Sequence, residues 1–188
     1  MTNLLQIDTS TRTDRSNSRL LAKEFVEQWI ASDPESVVTY RDIGQFPIPH
    51  VTEKWLDAAE SSQVESNIDS VSELFLSNEL VDELLVNDRY LISAPILNFT
   101  IPSTLKTYID LIVRNGLTVE GTKHNPQGLL HNKKLLVIAT QRNNYPHYNQ
   151  DEAVKYFESY LRHIFKYIGV TDINFIYACD RGETNIAK

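Results

Sequence analysis

Apolar positions along the chain follow two patterns: short, nearly continuous runs, and longer stretches in which apolar residues recur every three or four positions. Short runs flanked by turn-forming residues are typical of strands that are buried on both faces. The strand candidates are residues 4–7, 37–43, 90–94, 135–139 and 173–178. The pattern therefore predicts five buried strands.

Helical periodicity separates these runs. Leu21, Phe25 and Trp29 recur every four residues, which predicts a helix over residues 19–32 with Ser18 as its N-cap candidate. Further helices are predicted at residues 71–85 and 154–168, and between Pro102 and a C-cap at Asn115-Gly116, with only short helices in residues 52–70. The chain thus alternates strands and helices.

This alternation predicts an α/β fold in which a five-stranded parallel sheet carries helices on both faces. Residues 117–132 are too polar for a core strand and are expected to form an excursion outside the sheet and its covering helices. Open parallel sheets bind ligands at the carboxyl ends of their strands. A binding site is therefore expected in the loops that follow the first, third and fourth predicted strands.

Composition limits the classes of protein that remain. The 188 residues, 41% of them hydrophobic, suit one domain spanning residues 1–188. A net charge of −7 without a basic stripe repels a phosphate backbone, which disfavours nucleic acid as a partner. Cys179 is the only cysteine, so redox chemistry would need a cofactor. The absence of a secretory signal and of a membrane-length apolar run leads us to expect a cytoplasmic protein that does not cross a membrane.

The first loop, residues 9–18, is rich in hydroxyl groups and leads into a predicted helix. The amides and dipole at a helix N-terminus favour an anion, so a phosphate would fit there. No glycine-rich nucleotide motif occurs in the chain. An alternative is that Ser16 and Ser18 only cap the helix. Arg12 and Arg15 favour the phosphate interpretation only slightly, because exposed arginines are common in loops.

The second loop, residues 95–102, places apolar and aromatic side chains at the tip of a central strand. A flat ligand could lie on them, and the Asn98 amide could both donate to and accept from the edge of a heterocycle. The alternative is that Ile96, Leu97 and Phe99 pack under a neighbouring loop.

The third loop, residues 140–148, is dense in hydrogen-bonding and aromatic groups. Binding loops have this character, and so do ordinary surface loops. The five histidines show no metal-ligand spacing, and no G-x-S-x-G motif occurs. A metal site and a serine hydrolase are therefore disfavoured.

Together these loops resemble those of the FMN-dependent NADH-azoreductase family, relatives of the quinone reductases. The most specific stretch is Ala-Pro-Ile-Leu-Asn-Phe-Thr-Ile at 94–101, followed by Leu-Lys-Thr-Tyr-Ile-Asp at 105–110. Members of the family typically carry Pro-Met-Tyr-Asn-Phe-Asn and then Leu-Lys-x-Tyr-hydrophobic-Asp. Residues 125–129, 133–134 and 168–172 also match, so the likeness extends from residue 4 to about residue 178.

The resemblance implies a flavodoxin-like, three-layer α/β sandwich that binds FMN. Its implied FMN-binding residues are Ser10, Ser16, Asn17 and Ser18 for the phosphate and ribityl chain, Ile96, Leu97, Asn98 and Phe99 for the isoalloxazine ring, and Thr140, Gln141, Arg142 and Asn143 for the far edge of the ring. It also implies a homodimer whose second subunit completes the pocket. The implied reaction passes electrons from NADH or NADPH to a quinone or an aromatic azo compound by a ping-pong mechanism, with no catalytic side chain assigned.

The chain departs from the family pattern at three places. Residues 140–143 replace Ser-Arg-Gly-Gly, Ile96-Leu97 replaces Met-Tyr, and residues 118–121 replace Thr-Phe-x-Tyr. Two glycines and several aromatic side chains are thereby lost. Two alternatives therefore stay open: a flavodoxin-like binding module that has lost FMN, and a flavodoxin-type electron carrier, whose docking the net charge of −7 would suit.

Overall fold

The structure is a computed structural model that describes residues 2–60, 68–122, 124–141 and 150–179. The strands are β1 (Leu4–Asp8), β2 (Val38–Asp42), β3 (Arg89–Pro95), β4 (Val119–Thr122), β5 (Asn125–Gly128), β6 (Lys134–Gln141) and β7 (Asp172–Cys179). The helices are α1 (Asn17–Ser32), α2 (Glu53–Glu60), α3 (Ile68–Val86), α4 (Ser103–Ile112) and α5 (Gln150–Tyr167). None of the helices in these ranges combines the length and apolar character that crossing a bilayer requires.

Five strands form one parallel sheet in the order β2-β1-β3-β6-β7. Each of them overlaps one of the five predicted strands, so the prediction of a five-stranded parallel sheet is confirmed. The prediction that all five strands are buried is wrong for β2, which has no buried residue because it lies at the edge of the sheet. The chain runs outward in one direction from β1 to β2 and in the other from β3 to β6 and β7. The order therefore reverses beside β1 and β3, where ligands of such sheets bind.

Helices cover both faces of the sheet, as predicted. Successive residues of a strand point to opposite faces. Leu4 accordingly packs with Ala22 of α1, whereas its neighbour Leu5 belongs to the core that α2, α3, α4 and α5 share. The large buried rings Tyr108 and Phe157 lie in that second core.

The N-terminus of α1 differs from the prediction. The helix begins at Asn17, and Ser16 is its N-cap, with its hydroxyl accepting from the Arg19 amide at 3.4 Å. Ser16 has the extended backbone that an N-cap requires, with φ −100° and ψ 107°. Ser18 lies in the first turn and is buried, so its assignment as the N-cap was wrong.

Helix α4 ends at Ile112, earlier than the predicted C-cap at Asn115-Gly116. The Thr118 hydroxyl donates to the Ile112 carbonyl at 2.6 Å and accepts from the Arg114 amide at 2.9 Å. A side chain from beyond the helix thus satisfies one of its last carbonyls, so the backbone can turn away before Gly116.

The polar excursion contains an antiparallel hairpin of β4 and β5, separate from the main sheet. Its attachment is a close backbone contact: a Cβ atom at Gly128 would lie 2.1 Å from the Gly169 amide nitrogen. Beside it, the Leu130 amide donates to the Ile168 carbonyl at 2.9 Å. The hairpin is therefore anchored to the C-terminal end of α5.

Candidate functional site

A cavity of about 300 Å³ lies at the carboxyl ends of β1, β3 and β6. This is the edge where the strand order reverses. Its wall consists of Thr9, Ser10, Thr11, Arg12, Arg15 and Ser16 from the first loop, Pro95, Ile96, Leu97, Asn98 and Phe99 from the second, Pro102, Ser103 and Thr104 at the start of α4, Thr140 and Gln141 on β6, and Ala153 on α5.

The cavity brings together eight of the twelve candidate site residues. These are Ser10, Ser16, Ile96, Leu97, Asn98, Phe99, Thr140 and Gln141. Asn17 and Ser18 do not line it; the Ser18 hydroxyl lies behind the wall, 3.2 Å from the hydroxyl of Ser16. Arg142 and Asn143 lie outside the described residues.

Sequence reasoning missed the contribution of α4. Ser103 and Thr104 line the cavity at the first turn of this helix, and the Thr104 hydroxyl donates to the Thr9 carbonyl at 3.1 Å. Pro102 did signal that a helix starts there. The hydrogen bond between Thr104 and Thr9 joins distant parts of the chain. It forms only because β1 and β3 are neighbours in the sheet, which the strand order decides.

One end of the cavity is suited to an anion. The Ser10 hydroxyl accepts from the Arg12 amide at 3.2 Å, and the Ser16 hydroxyl stands at the N-terminus of α1. The exposed side chains of Arg12 and Arg15 add positive charge to the same wall. Hydroxyls, a helix N-terminus and guanidinium groups are the partners that a phosphate group requires.

Behind this end lies a polar network between β1 and β2. Asp8 is 3% exposed, and its carboxylate accepts from the Ser93 hydroxyl at 2.6 Å and from the Tyr40 hydroxyl at 3.0 Å. Burial raises the pKa of Tyr40, and the negative charge of Asp8 raises it further. The phenol therefore stays protonated and remains a donor to Asp8.

Asp42 is the second carboxylate of the network. Burial raises its pKa, but hydrogen bonds from the Arg19 side chain and the Gln45 amide outweigh this effect, and the pKa of Asp42 lies below its ordinary value. Asp42 is thus ionised at neutral pH and forms a two-point ion pair with Arg19, with both N···O distances 2.6 Å.

The other end of the cavity is a tight turn with an unusual backbone. Leu97 and Thr100 exchange amide hydrogen bonds of 2.9 and 3.0 Å, and the two residues between them have positive φ, 44° at Asn98 and 69° at Phe99. Turns with this geometry normally carry Asn, Asp or Gly first and Gly second, so Asn98 suits its position and Phe99 does not. A phenylalanine there is strained, because its Cβ crowds the backbone. The two hydrogen bonds between Leu97 and Thr100 hold the turn in this shape despite the strain.

This strain leads to a test with two variants at one position. Phe99→Gly and Phe99→Ala remove the same ring, but only glycine adopts φ 69° without a Cβ clash. We expect the glycine variant to be more stable than the alanine variant by about 1 kcal/mol. Urea unfolding of both variants measures the difference; alanine being the more stable would mean that the turn is unstrained.

The cavity as a whole joins an end lined by hydroxyls and arginines to an apolar end. Counting the main-sheet strands along the chain, their order is 2-1-3-4-5, which is the order of flavodoxin-like α/β proteins. Within the described residues no group of three metal-ligating side chains could hold a metal ion. The fold and the site define a flavodoxin-like protein whose pocket has one end lined by hydroxyls and arginines and one apolar end.

Comparison with known proteins specifies the family. The model of a family described by its flavodoxin-like fold matches residues 2–188, and the chain belongs to this family. An FMN-dependent NADH:quinone oxidoreductase of Nostoc punctiforme is 44% identical over 178 residues, which are 95% of this chain and 87% of that protein. An FMN-dependent NADH:quinone oxidoreductase 2 of Trichormus variabilis is 43% identical over 179 residues, 95% of this chain and 86% of that protein.

Solved structures agree on the fold. An azoreductase from Bacillus anthracis superposes with a TM-score of 0.83 at 21% identity, over 96% of this chain and 88% of that one. An FMN-dependent NADH-azoreductase of Bacillus anthracis, solved in complex with FMN, has a TM-score of 0.82 at 24% identity and the same coverage, 96% and 88%. The predicted resemblance and the flavodoxin-like fold are confirmed.

Proposed function

We propose that this protein is an FMN-dependent oxidoreductase that passes electrons from NADH, or NADPH, to a quinone or an aromatic azo compound by a ping-pong mechanism. The observation that carries the proposal is the cavity at the switch of strand order, which joins a hydroxyl-lined helix N-terminus to an apolar turn. The name of the Nostoc punctiforme relative, at 44% identity, supports the same activity.

The anion-binding end fits the phosphate of FMN. We assign the hydroxyls of Ser10 and Ser16 as hydrogen-bond partners, since both residues line the cavity. Asn17 and Ser18 follow in the first turn of α1, and Ser18 supports Ser16 through the 3.2 Å contact of their hydroxyls. The nearby guanidinium of Arg12 favours a phosphate dianion over a neutral ligand.

The apolar end fits the flavin ring. We assign Ile96, Leu97, Asn98 and Phe99 to the border of the isoalloxazine, with Thr140, Gln141, Arg142 and Asn143 at its far edge. Leu97 is 48% exposed and Phe99 36% exposed, which leaves apolar surface for a flat ligand to cover. The amide of Asn98 can donate to a ring carbonyl and accept from a ring N–H group.

Bound FMN would supply the two-electron chemistry of the reaction, and the residues of the chain bind and orient it. The turn restricts the position of the ring, because the two hydrogen bonds between Leu97 and Thr100 hold one backbone shape. NADH and the acceptor would occupy the same space beside the ring in turn. The described wall of the cavity carries no carboxylate, imidazole or thiol, so we assign no catalytic side chain, and solvent supplies the protons.

The two alternative interpretations are less favoured. A module that had lost FMN need not keep hydroxyls, a helix N-terminus and arginines at one end of the cavity, as this chain does. The identity with proteins named as oxidoreductases argues against a simple electron carrier.

We further propose that residues 1–188 act as one domain and that two copies form a cytoplasmic homodimer. Large apolar side chains are exposed on the packed pair α2 and α3: Leu56 is 47% exposed, Val71 47% and Phe75 67%. A second copy covering this face would remove apolar surface from water.

The proposal is tested with one sample of purified protein. After incubation with excess FMN and removal of the unbound fraction, we expect the protein to keep the visible absorption of flavin, to lose that absorption when NADH is added, and to regain it with a quinone. Protein that stays colourless after FMN addition would contradict FMN binding. Retained flavin that NADH fails to reduce would contradict the reductase activity. Sedimentation velocity of the same sample should give twice the mass of one chain.

A further inference from the structure

Arg19, in the first turn of α1, is hydrogen-bonded along its whole guanidinium group. Its Nε and one Nη donate to the carbonyl oxygen of Ser10 at 3.2 and 2.6 Å. Both Nη atoms also donate to the carboxylate of Asp42, each at 2.6 Å. The side chain is 13% exposed and does not line the cavity. Arg19 therefore holds the first loop from behind.

The carboxylates that hold Arg19 are themselves fixed. Asp42 accepts from the amides of Gly44 and Gln45 at 3.1 and 2.9 Å, which ties it to the turn after β2. Asp8, at the end of β1, lies 3.3 Å from Arg19 and accepts from the Ser93 hydroxyl of β3. The guanidinium is thus anchored to the sheet. Its hydrogen bonds to the Ser10 carbonyl fix the position of the loop relative to the sheet.

The Ser10 carbonyl sets the direction of the next amide. In a trans peptide the C=O and N–H bonds point in opposite directions. No cis peptide bond is present in the described residues. The Ser10 carbonyl points to Arg19, which lies outside the cavity. The N–H of Thr11 therefore points the other way, towards the cavity that Ser10 and Thr11 line.

Gly44 makes room for this arrangement. A Cβ atom on Gly44 would lie 2.1 Å from the Ser10 oxygen and 2.9 Å from an Nη of Arg19. The backbone of the turn after β2 therefore approaches the carbonyl and the guanidinium as closely as a residue without a side chain allows.

The positive charge of Arg19 does not by itself explain how this residue would favour a bound anion. With Asp8 and Asp42 as its ionic partners, the cluster carries a formal charge of −1, which does not attract an anion. Removing Arg19 would release the Ser10 carbonyl and leave two carboxylates uncompensated behind the loop. Both changes oppose a bound anion and leave a neutral ligand unaffected.

We propose that Arg19 is a positioning residue that orients the peptide between Ser10 and Thr11 so that its N–H group faces the phosphate of the bound ligand. The inference rests on the proposed function, because it takes FMN as that ligand. Arg19 acts through the backbone and does not itself contact the phosphate.

The test compares two flavins that differ only in the phosphate. FMN and riboflavin are titrated into the wild-type chain, Arg19→Met and Arg19→Lys, with flavin fluorescence as the signal. We expect Arg19→Met to bind FMN roughly tenfold to a hundredfold more weakly. Its riboflavin affinity should stay within about threefold of the wild-type value. Arg19→Lys, which keeps the charge and a donor, should be intermediate for FMN.

Tyr40→Phe is the matched control, because it removes one hydroxyl from the same network and leaves the Arg19 contact with Ser10 in place. Its ratio of FMN to riboflavin affinity should equal that of the wild type. Unchanged FMN affinity in Arg19→Met, or equal losses for both flavins, would overturn the proposal. If Arg19→Met does not fold, Arg19→Lys decides by the same ratio. A wild-type chain that binds neither flavin would instead refute the proposed function.

Discussion

Replacing Ser16 and Ser18 together with alanine is expected to weaken FMN binding roughly a hundredfold, since hydrogen bonds to a charged phosphate are lost. Ser16 lines the cavity, and the buried Ser18 hydroxyl supports it at 3.2 Å. The same change removes the N-cap of α1, which costs about 1 kcal/mol of folding stability. Fluorescence titration with FMN and urea unfolding measure the two effects separately.

Ser32→Ala provides the matched control for this prediction. Ser32 is exposed at the other end of α1, where its hydroxyl donates to the Trp29 carbonyl at 2.8 Å. This variant should bind FMN as the wild type does. Wild-type FMN affinity in the double variant would contradict the assignment of the first loop to the phosphate site, whether or not folding stability changes.

Gly128→Ala is expected to lower the free energy of unfolding by more than about 3 kcal/mol. The added Cβ would lie 2.1 Å from the Gly169 nitrogen and 2.3 Å from the Ile168 carbonyl carbon. Both atoms belong to the backbone, so neither can move aside as a flexible side chain would. Relief requires the β4-β5 hairpin to separate from the end of α5. Urea unfolding measures the loss.

Gly116→Ala separates this clash from the general effect of replacing a glycine. Gly116 has φ +78°, but nothing lies within 4 Å of the position its Cβ would take. Only backbone strain is expected there, with a loss of about 1 kcal/mol. Equal losses at the two positions would show that the hairpin is not held by close backbone packing.

The main-sheet strands could be predicted because their signal is local. Leu4, Leu5 and Ile7 are the apolar residues of a short run interrupted only by Gln6, and all three are exposed by 1% or less. The helix stripes are equally local, since Leu21, Phe25 and Trp29 recur with the helical period and pack on one face of the sheet. These patterns lie within short segments, so they can be recognised without knowledge of the neighbouring elements.

Local signals were weaker where two residues offer the same chemistry. Ser16 and Ser18 both have a hydroxyl that could cap α1, and only the extended backbone of Ser16 distinguishes them. Likewise, the hydroxyl of Thr118 ends α4 at Ile112, although Asn115-Gly116 has the composition of a C-cap. In both cases a hydrogen bond within one segment was decided by its backbone geometry, which composition does not encode.

The candidate site was only partly accessible to sequence reasoning. The order of strands and helices indicated which loops to inspect, and eight of the residues singled out line the cavity. Thr104 was missed because its contact with Thr9 spans 95 positions. The left-handed backbone of Phe99 was also unforeseen, because phenylalanine has no intrinsic preference for it and two hydrogen bonds between Leu97 and Thr100 impose it.

The sequence by itself determined the α/β class, the five strands of the main sheet, the helices between them and the hydroxyl-rich and apolar loops, because each of these depends on residues close together in the chain. Tertiary structure alone decided that β1 lies between β2 and β3. That order brings Arg19 to the carbonyl of Ser10 and to Asp42, a partner 23 positions away. The physical reason is that pairing between strands and contacts between side chains are non-local, so the geometry of the site exists only once the sheet has formed.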